Sequence, residues 1–393
     1  MADESLLELE RVLRAAPDDE AARRRLVALL ARSGRRREAL EHAARIPGGR
    51  DLANGLWRED LARLEKTVAV PGTHEVTQIA IEPTGKMLAL SLRGELRIVE
   101  VGSDRVLHSA SGRRDDLLVA RREQVFVQDY ARGGVIASFE WSAGELRSSR
   151  RSVRDLATIH DVAPRGDLLL LQGSHHGGIY AWPSLDPIVE RPSRLNPPVV
   201  DWETRRLLLD GMRGIEVLPF TGPALPVIPG RGERLVALGA GLVSRYEQGL
   251  VLRSLVHGWR VALYELKGVA RPGLGKPSLS GSFVRIVLAG VPLRFELDLE
   301  RGEVLSRPDR VERLALEPSD DDAPIRALWH PRADFVLQSR RGGPFELRSL
   351  EGETVLRLPP NCFPQAWTED GRALLVLHAA GEEGRAWIEL WRC

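Results

Sequence analysis

The chain contains little cysteine, lysine or asparagine. Two of its 393 residues are cysteine, Cys362 and Cys393. Because two cysteines cannot form the disulfide framework of a secreted domain, we expect a reducing, cytoplasmic compartment. Four residues are lysine, so arginine supplies 52 of the 56 basic residues. This bias is typical of a GC-rich genome, and arginine-rich segments therefore indicate little about nucleic-acid binding.

Long apolar segments and a strong net charge are also missing. No apolar run reaches the length of a membrane-spanning helix, and the acidic start MADESLLELE lacks the basic region of a secretory leader. We therefore expect no membrane span and no leader. The 56 basic and 55 acidic residues almost balance, which gives no support to nucleic acid or an anionic membrane as partner. The most basic segment, residues 147–154, has no interleaved aromatic residues, and nucleic-acid binding is not favoured there.

Common catalytic motifs are missing as well. The sequence has no GxSxG, P-loop, HExxH or CxxC pattern. It therefore gives no support to the hydrolases, kinases, metalloproteases or redox enzymes that carry these motifs. We expect a protein without catalytic activity and without a cofactor.

Residues 1–64 have helical periodicity and predict four helices. Stops occur at Pro17, at Ser33 and Gly34, and around Pro47. Residues 17–46 resemble one tetratricopeptide repeat, and the matching positions are Leu26, Leu30, Gly34, Ala39 and Ala43. One such unit cannot bury both of its faces, so we expect the helices to pack together or to dock on the rest of the chain. This helical head serves either as a partner-binding module or as a lid that stabilises the neighbouring domain.

From residue 65 onward the sequence predicts many short strands. A glycine followed by an alternating strand recurs eight times, at Gly94, Gly134, Gly178, Gly214, Gly258, Gly290, Gly343 and Gly384. The mean spacing is about 41 residues, which is typical of the four-stranded blades of a β-propeller. Eight blades are expected. Seven is the alternative, because the spacings on the two sides of Gly290 are uneven, at 32 and 53 residues.

A second pattern, strand–turn–strand, precedes several of these glycines. The copies begin at Ile79, Ile159, Ile325 and Phe363, and the best of them reads IAIEPTGKMLALS. These residues resemble the first two strands of a WD40-type blade, although the Trp-Asp dipeptide of that family is missing from the third strands. The resemblance implies a mainly β fold, a degenerate WD40-like propeller over residues 65–393 that follows the helical head of residues 1–64.

The last copy contains three strands and lacks an outer one. A closed ring needs that strand from elsewhere in the chain, and residues 65–71, just before the first blade, have strand character. We predict that residues 67–70 complete the last blade.

The favoured function is a non-catalytic protein–protein interaction scaffold or adaptor subunit of a bacterial multiprotein assembly. Its partner is expected to be another protein, because helical repeats and propeller faces both present broad, rigid surfaces. The alternative is a lyase, a hydrolase or a small-ligand binder that uses the central channel. Candidate residues at the channel mouth, taken from predicted first strands, are His160, Asp161, Asp201, Arg326 and Trp329.

Histidines raise the question of a metal ion. His175 and His176 are neighbours in the same predicted blade as His160 and Asp161. Adjacent residues of a strand point to opposite faces, so both histidines could bind one ion only at a turn. A loop contact is the favoured interpretation, and no metal ligand is predicted.

Overall fold

Four helices precede the strands in the computed structural model. They are α1 (Ala2–Ala15), α2 (Glu20–Arg32), α3 (Arg36–Ala43) and α4 (Arg50–Leu61). The structure describes residues 2–73, 76–81, 87–92, 95–101, 105–111, 117–121, 124–129, 134–142, 145–153, 157–192, 198–211, 214–229, 233–247, 249–265, 277–288, 291–308, 326–339, 343–368, 370–378 and 386–392. Within this part of the chain, no helix has the length and apolar character needed to cross a membrane.

Local capping and small residues shape the helical head. Asp19 precedes α2, and its side chain accepts a hydrogen bond from the Ala22 backbone N–H at 2.9 Å. Gly34 has a positive φ of 78° directly after α2, a conformation that glycine adopts without strain. The helices pack in sequence order, each on the next. Ala39 and Ala43 are fully buried, and their small side chains let α2 and α3 approach closely.

The strands of the first four blades follow one another along the chain. Blade 1 contains β2 (Val76–Ile81), β3 (Met87–Leu92), β4 (Glu95–Glu100) and β5 (Val106–Ser111). Blade 2 contains β6 (Leu117–Arg121), β7 (Gln124–Asp129), β8 (Val135–Ser142) and β9 (Glu145–Ser152). Blade 3 contains β10 (Thr158–Val162), β11 (Leu168–Gln172), β12 (His176–Ala181) and β13 (Pro187–Pro192). Blade 4 contains β14 (Val199–Asp201), β15 (Arg206–Gly211), β16 (Gly214–Pro219) and β17 (Ile228–Pro229).

The remaining blades repeat this arrangement, except that the last one takes a strand from the start of the domain. Blade 5 contains β18 (Glu233–Gly239), β19 (Leu242–Tyr246), β20 (Gly249–Ser254) and β21 (Arg260–Glu265). Blade 6 contains β22 (Ser278–Ser280), β23 (Phe283–Leu288), β24 (Val291–Asp298) and β25 (Glu303–Ser306). Blade 7 contains β26 (Arg326–Trp329), β27 (Phe335–Ser339), β28 (Glu346–Ser349) and β29 (Thr354–Arg357). Blade 8 contains β30 (Cys362–Trp367), β31 (Ala373–His378), β32 (Ala386–Arg392) and β1 (Glu65–Thr73).

These sheets confirm the prediction of a mainly β, eight-bladed propeller that follows a helical segment. Across the described residues, the strands form eight four-stranded antiparallel sheets, so the seven-bladed alternative is wrong. First strands of neighbouring blades contact one another, as they do around the axis of a propeller. Buried apolar side chains fill the space between adjacent blades, as in the cluster shared by blades 5 and 6.

The outer strand of blade 8 comes from the segment that follows α4. In the register of β1 and β32, Val68 lies opposite Leu390, Ala69 opposite Glu389, and Val70 opposite Ile388. Residues 67–70 therefore lie beside the third strand of the last blade. β1 and β32 are more than 300 residues apart in the sequence, and their pairing closes the ring of blades.

Among the described residues, Gly134, Gly178, Gly214 and Gly343 lie at or near the start of third strands, with one correction in blade 5; Gly94, Gly290 and Gly384 lie outside the described residues. Gly258 lies in the turn before β21, whereas Gly249 opens the third strand, β20. With Gly249 in its place, the spacing to Gly290 becomes 41 residues rather than 32. At Gly178, Gly214 and Gly249, an added Cβ would collide with a carbonyl oxygen of the outer strand, which explains why this position excludes a side chain.

Replacing Gly178 by alanine is expected to destabilise blade 3 by about 1–3 kcal/mol, the usual cost of overpacking. Its Cβ would overlap the backbone carbonyl of Val189, and backbone cannot rotate away as a side chain does. The control is Gly177→Ala, whose Cβ would meet the carbonyl oxygen of Leu171 at 3.3 Å. Urea unfolding of both variants measures the difference. Equal unfolding midpoints would contradict the steric explanation.

Candidate functional site

Three of the five residues predicted for a channel site, Asp161, Asp201 and Trp329, take part in contacts between or within blades. Asp161 lies on β10, and its Oδ2 accepts a hydrogen bond from the Trp202 indole N–H of blade 4 at 2.9 Å. Its Oδ1 accepts from the backbone N–H of Val162 at 2.8 Å. Asp161 therefore helps to join blades 3 and 4. His160, its neighbour on β10, is exposed.

Asp201 and Trp329 also have structural contacts. Asp201 is 1% exposed at the end of β14, and its Oδ2 accepts a hydrogen bond from the Thr204 hydroxyl at 2.7 Å. This contact closes the turn to the next strand. The Arg285 guanidinium lies 5.1 Å from the centre of the Trp329 ring. Arg326 begins β26, and its side chain lies outside the described residues.

A buried, charged site attaches the helical head to the propeller. Its centre is Asp334, in the turn between β26 and β27 of blade 7, with a side chain 1% exposed. Arg50, the first residue of α4, donates to both carboxylate oxygens, at 2.7 and 2.5 Å. Asn54, one turn further along α4, donates to Oδ2 at 3.0 Å and accepts from the Asp334 backbone N–H at 3.0 Å.

Blade 6 contributes the remaining groups of this site. Arg294 of β24 donates to Asp334 Oδ2 at 2.6 Å. The guanidinium groups of Arg50 and Arg294 lie 4.7 and 4.8 Å from the centre of the Phe283 ring. Arg50 also donates to the Ser280 hydroxyl at 3.2 Å. We call Arg50, Asn54, Arg294 and Asp334 the Asp334 cluster; it joins α4, blade 6 and blade 7.

Electrostatics keep the Asp334 carboxylate charged. Burial raises the pKa of Asp334, but the hydrogen bonds and positive charge of Arg50, with Asn54 and Arg294, outweigh burial and hold this pKa at about 2. Arg285 of β23 lies 3.9 Å from Asp334 and donates to the backbone carbonyls of His330 and Ala333, at 3.0 and 2.7 Å. Burial lowers the pKa of Arg285 to about 10, so its guanidinium stays charged at neutral pH.

An aromatic contact lies beside the Asp334 cluster. His330 is fully buried; its Nδ1 accepts from the Arg332 backbone N–H at 3.2 Å, so its Nε2–H donates to the Gly371 carbonyl at 2.9 Å. Burial lowers the pKa of His330 to about 4, which keeps this ring neutral at neutral pH. The rings of Trp57 and Trp367 contact it edge-on, with centroids 4.6 and 4.9 Å away.

The end of α4 is part of the propeller core. Trp57, Leu61 and Leu64 belong to one buried cluster with apolar residues of blades 7 and 8. α4 packs on the strand β29, whereas α1, α2 and α3 pack mainly on neighbouring helices. The helical head is therefore attached to the propeller through α4, its last helix. Its first helix, α1, has two exposed large apolar residues, Leu7 at 61% and Val12 at 38% exposure.

A second exposed region of the described residues lies at the outer edge of blades 3 and 4. A shallow groove of about 220 Å³ is lined by residues 188–191, 218–220, 222 and 224. Ile188, which lines the groove, is 38% exposed, and Leu225 and Val227, between β16 and β17 of blade 4, are 38% and 47% exposed. The outer strand β17 has two residues, so it pairs only with the start of β16, at Gly214 and Ile215. We call this region the blade 3–4 rim.

Comparisons with known proteins show similarity of fold. No protein-family model and no curated protein matches this chain. Among solved structures, BamB from Moraxella catarrhalis has a TM-score of 0.39 and 14% identity, covering 81% of this chain and 84% of that chain. The Cps50 (Swd1) β-propeller domain of Myceliophteria thermophila has a TM-score of 0.46 and 13% identity, covering 84% and 99%. A eukaryotic initiation factor has a TM-score of 0.48 and 11% identity, covering 82% and 86%.

The sequence did not reveal the Asp334 cluster. Asp334 stands in the segment HPRADF with no motif around it, and Arg50 is one of many arginines. The two residues are 284 positions apart. Two features of the sequence pointed weakly to this site. One is an aspartate in the turn between the first two strands of a blade, and the other is a helical head that needs a surface on which to dock.

Proposed function

We propose that this chain is a non-catalytic protein–protein interaction scaffold, an adaptor subunit of a bacterial multiprotein assembly in the cytoplasm. The observation that carries this proposal is the joint between head and propeller. The Asp334 cluster and the apolar end of α4 fix the head at its base, so the outer helices keep a constant orientation relative to the blades. A fixed relation between two surfaces is what an adaptor needs to position one partner against another.

Two exposed apolar regions support the proposal. Leu7 and Val12 belong to the helix of the head that lies farthest from α4 in the packing order. Ile188 and Val227 belong to the blade 3–4 rim, where the outer strand is short. Each region offers exposed apolar side chains that a protein partner could bury on binding. The structural contacts of Asp161, Asp201 and Trp329 favour this function over a channel enzyme.

Full-length variants test the proposal better than truncation, because a chain beginning at Glu65 would lose Trp57 and Leu61 from the core of blades 7 and 8. The head variant is Leu7→Glu with Val12→Glu, and the rim variant is Ile188→Glu with Val227→Glu. The matched control is Leu305→Glu, which changes an exposed leucine on β25, at 60% exposure, outside both regions.

Each tagged protein is purified from its native host, and co-purifying proteins are quantified. The unchanged protein and the Leu305→Glu control are expected to recover the same stoichiometric partner. One of the two double variants is expected to lose it, because a charge in an apolar contact is strongly unfavourable. A protein that remains monomeric by light scattering and recovers no stoichiometric partner would contradict the scaffold function.

A further inference from the structure

Three side chains with metal-binding atoms meet on one face of blade 8. Cys362 begins β30 and lies directly opposite His378, the last residue of β31. Glu389 of β32 lies opposite Val376, two residues before His378. Because directly paired residues and residues two apart share a face of a sheet, all three side chains extend from the same side of blade 8.

Distances among these side chains suit one metal ion. The Cys362 Sγ, an imidazole nitrogen of His378 and a carboxylate oxygen of Glu389 all lie within 4.8 Å of one another. With bonds of about 2.0–2.3 Å, neighbouring ligands of a tetrahedral zinc ion lie about 3.3–3.8 Å apart. The donor atoms therefore lie within about 1 Å of the separation that a bound zinc ion requires.

We propose that Cys362, His378 and Glu389 form a zinc site on the closing blade of the propeller. A thiolate, an imidazole and a carboxylate are the three kinds of protein ligand that zinc prefers, and calcium and magnesium do not take sulfur. A water molecule would complete a four-coordinate site. This site goes beyond the scaffold function and does not depend on it.

Charge and burial support zinc rather than a monovalent ion. Cys362 and Glu389 are 3% and 4% exposed. A divalent cation would stabilise a carboxylate in so buried a position, and the Trp391 indole N–H, which donates to Glu389 at 2.9 Å, would help to orient this ligand. One divalent cation balances the charges of one thiolate and one carboxylate. The thiol proton of Cys362 leaves to solvent as the ion binds.

The position of the site gives it a structural role. Its ligands come from three adjacent strands, β30, β31 and β32, and Ala69 of β1 lies opposite Glu389. A bound ion would connect the three strands that receive β1. His378 is half-buried, whereas the other two ligands are buried, so an ion would enter from the His378 side.

The test uses full-length protein freed of metal with a chelator, then supplied with Zn²⁺ or Co²⁺ salts. We expect one zinc per chain by mass spectrometry, a higher midpoint of thermal unfolding with zinc, and a sulfur-to-cobalt charge-transfer band with Co²⁺. Cys362→Ser, His378→Gln and Glu389→Gln are each expected to weaken zinc binding at least about 100-fold, more than the loss of a group that only orients a ligand. Gln at position 389 keeps an acceptor for Trp391.

Two matched controls complete the test. Cys393→Ser removes the other cysteine, and His175→Gln removes an exposed histidine of blade 3. Both variants are expected to bind zinc as the unchanged protein does and to retain the charge-transfer band with Co²⁺. Far-ultraviolet circular dichroism checks that each variant folds. The proposal is overturned if folded Cys362→Ser keeps the charge-transfer band, if Cys393→Ser loses it, or if the unchanged protein binds zinc no more tightly than His378→Gln.

Discussion

Replacing Asp334 by alanine is expected to lower the free energy of unfolding by about 3–5 kcal/mol, the usual effect of breaking a buried ion pair. The substitution removes the acceptor of Arg50, Asn54 and Arg294 and leaves these groups at a buried joint. It also removes the nearest carboxylate from Arg285, which is 3% exposed. The measurement is the urea unfolding midpoint, compared at equal slope.

Glu353→Ala is the matched control for this experiment. Glu353 pairs with Arg58 of α4 at 2.7 Å, but both side chains are about half exposed, at 55% and 53%. Exposed pairs contribute about 0–1 kcal/mol, so this variant should unfold close to the unchanged protein. Both ion pairs join α4 to blade 7, and they differ mainly in burial. Similar losses of stability in the two variants would contradict the role assigned to Asp334.

Stability is expected to fall in two stages on acidification. The pKa of His330 is lowered from 6.5 to about 4, so its contribution is complete above pH 6.5 and is lost as pH falls toward 4. The pKa of Asp334 is lowered from 3.8 to about 2, so its contribution, about 2 kcal/mol, is complete above pH 4 and is lost as pH falls toward 2. In Asp334→Asn the second stage should shrink while the first remains. An unchanged second stage would contradict this origin of the acid sensitivity.

Replacing Trp57 by alanine is expected to cost about 3–5 kcal/mol and to loosen the helical head. Trp57 is 5% exposed, contacts the His330 ring and belongs to the core shared with blades 7 and 8. The cavity left by the indole lies where α4 meets the propeller, so the head should separate before the blades unfold. Limited trypsin digestion measures this, through faster cleavage at Arg58 and Arg63 of the native protein.

Leu7→Ala provides the comparison for Trp57→Ala. Leu7 is also an apolar residue of the head, but it is 61% exposed, and its loss should change stability by less than about 0.5 kcal/mol. Trypsin should cleave this variant at the rate of the unchanged protein. If trypsin cleaves Trp57→Ala no faster than the unchanged protein, the Trp57 indole does not hold α4 on the propeller.

The fold could be predicted from the sequence because each blade repeats a local requirement. A side chain at Gly178 or Gly214 would collide with the adjacent outer strand, so glycine recurs at a regular spacing. The prediction was wrong in blade 5, where Gly258 precedes an alternating outer strand that looks like a third strand in the sequence. The sequence alone does not distinguish a glycine in a turn from a glycine at the start of a third strand. Strand pairing is needed to tell them apart.

The sites could not be predicted because their residues are distant in sequence and have no common motif. Arg50 and Asp334 meet because α4 lies across the turns of blades 6 and 7, a packing that no local pattern encodes. Cys362, His378 and Glu389 come from three strands, and their meeting depends on register. A shift of one residue in either pairing would turn one of them to the opposite face of blade 8.

The pairing of β1 with β32 also sets an order of events during synthesis. Of the described strands, β1 leaves the ribosome first and its neighbour β32 leaves last. Until then, β1 has an unpaired edge, and Trp57 and Leu61 lack the apolar surface of blade 8. Joining segments so far apart also carries a large loop-closure entropy. The nascent chain therefore carries an exposed strand edge and an exposed apolar helix end while the strands from β2 to β31 are made.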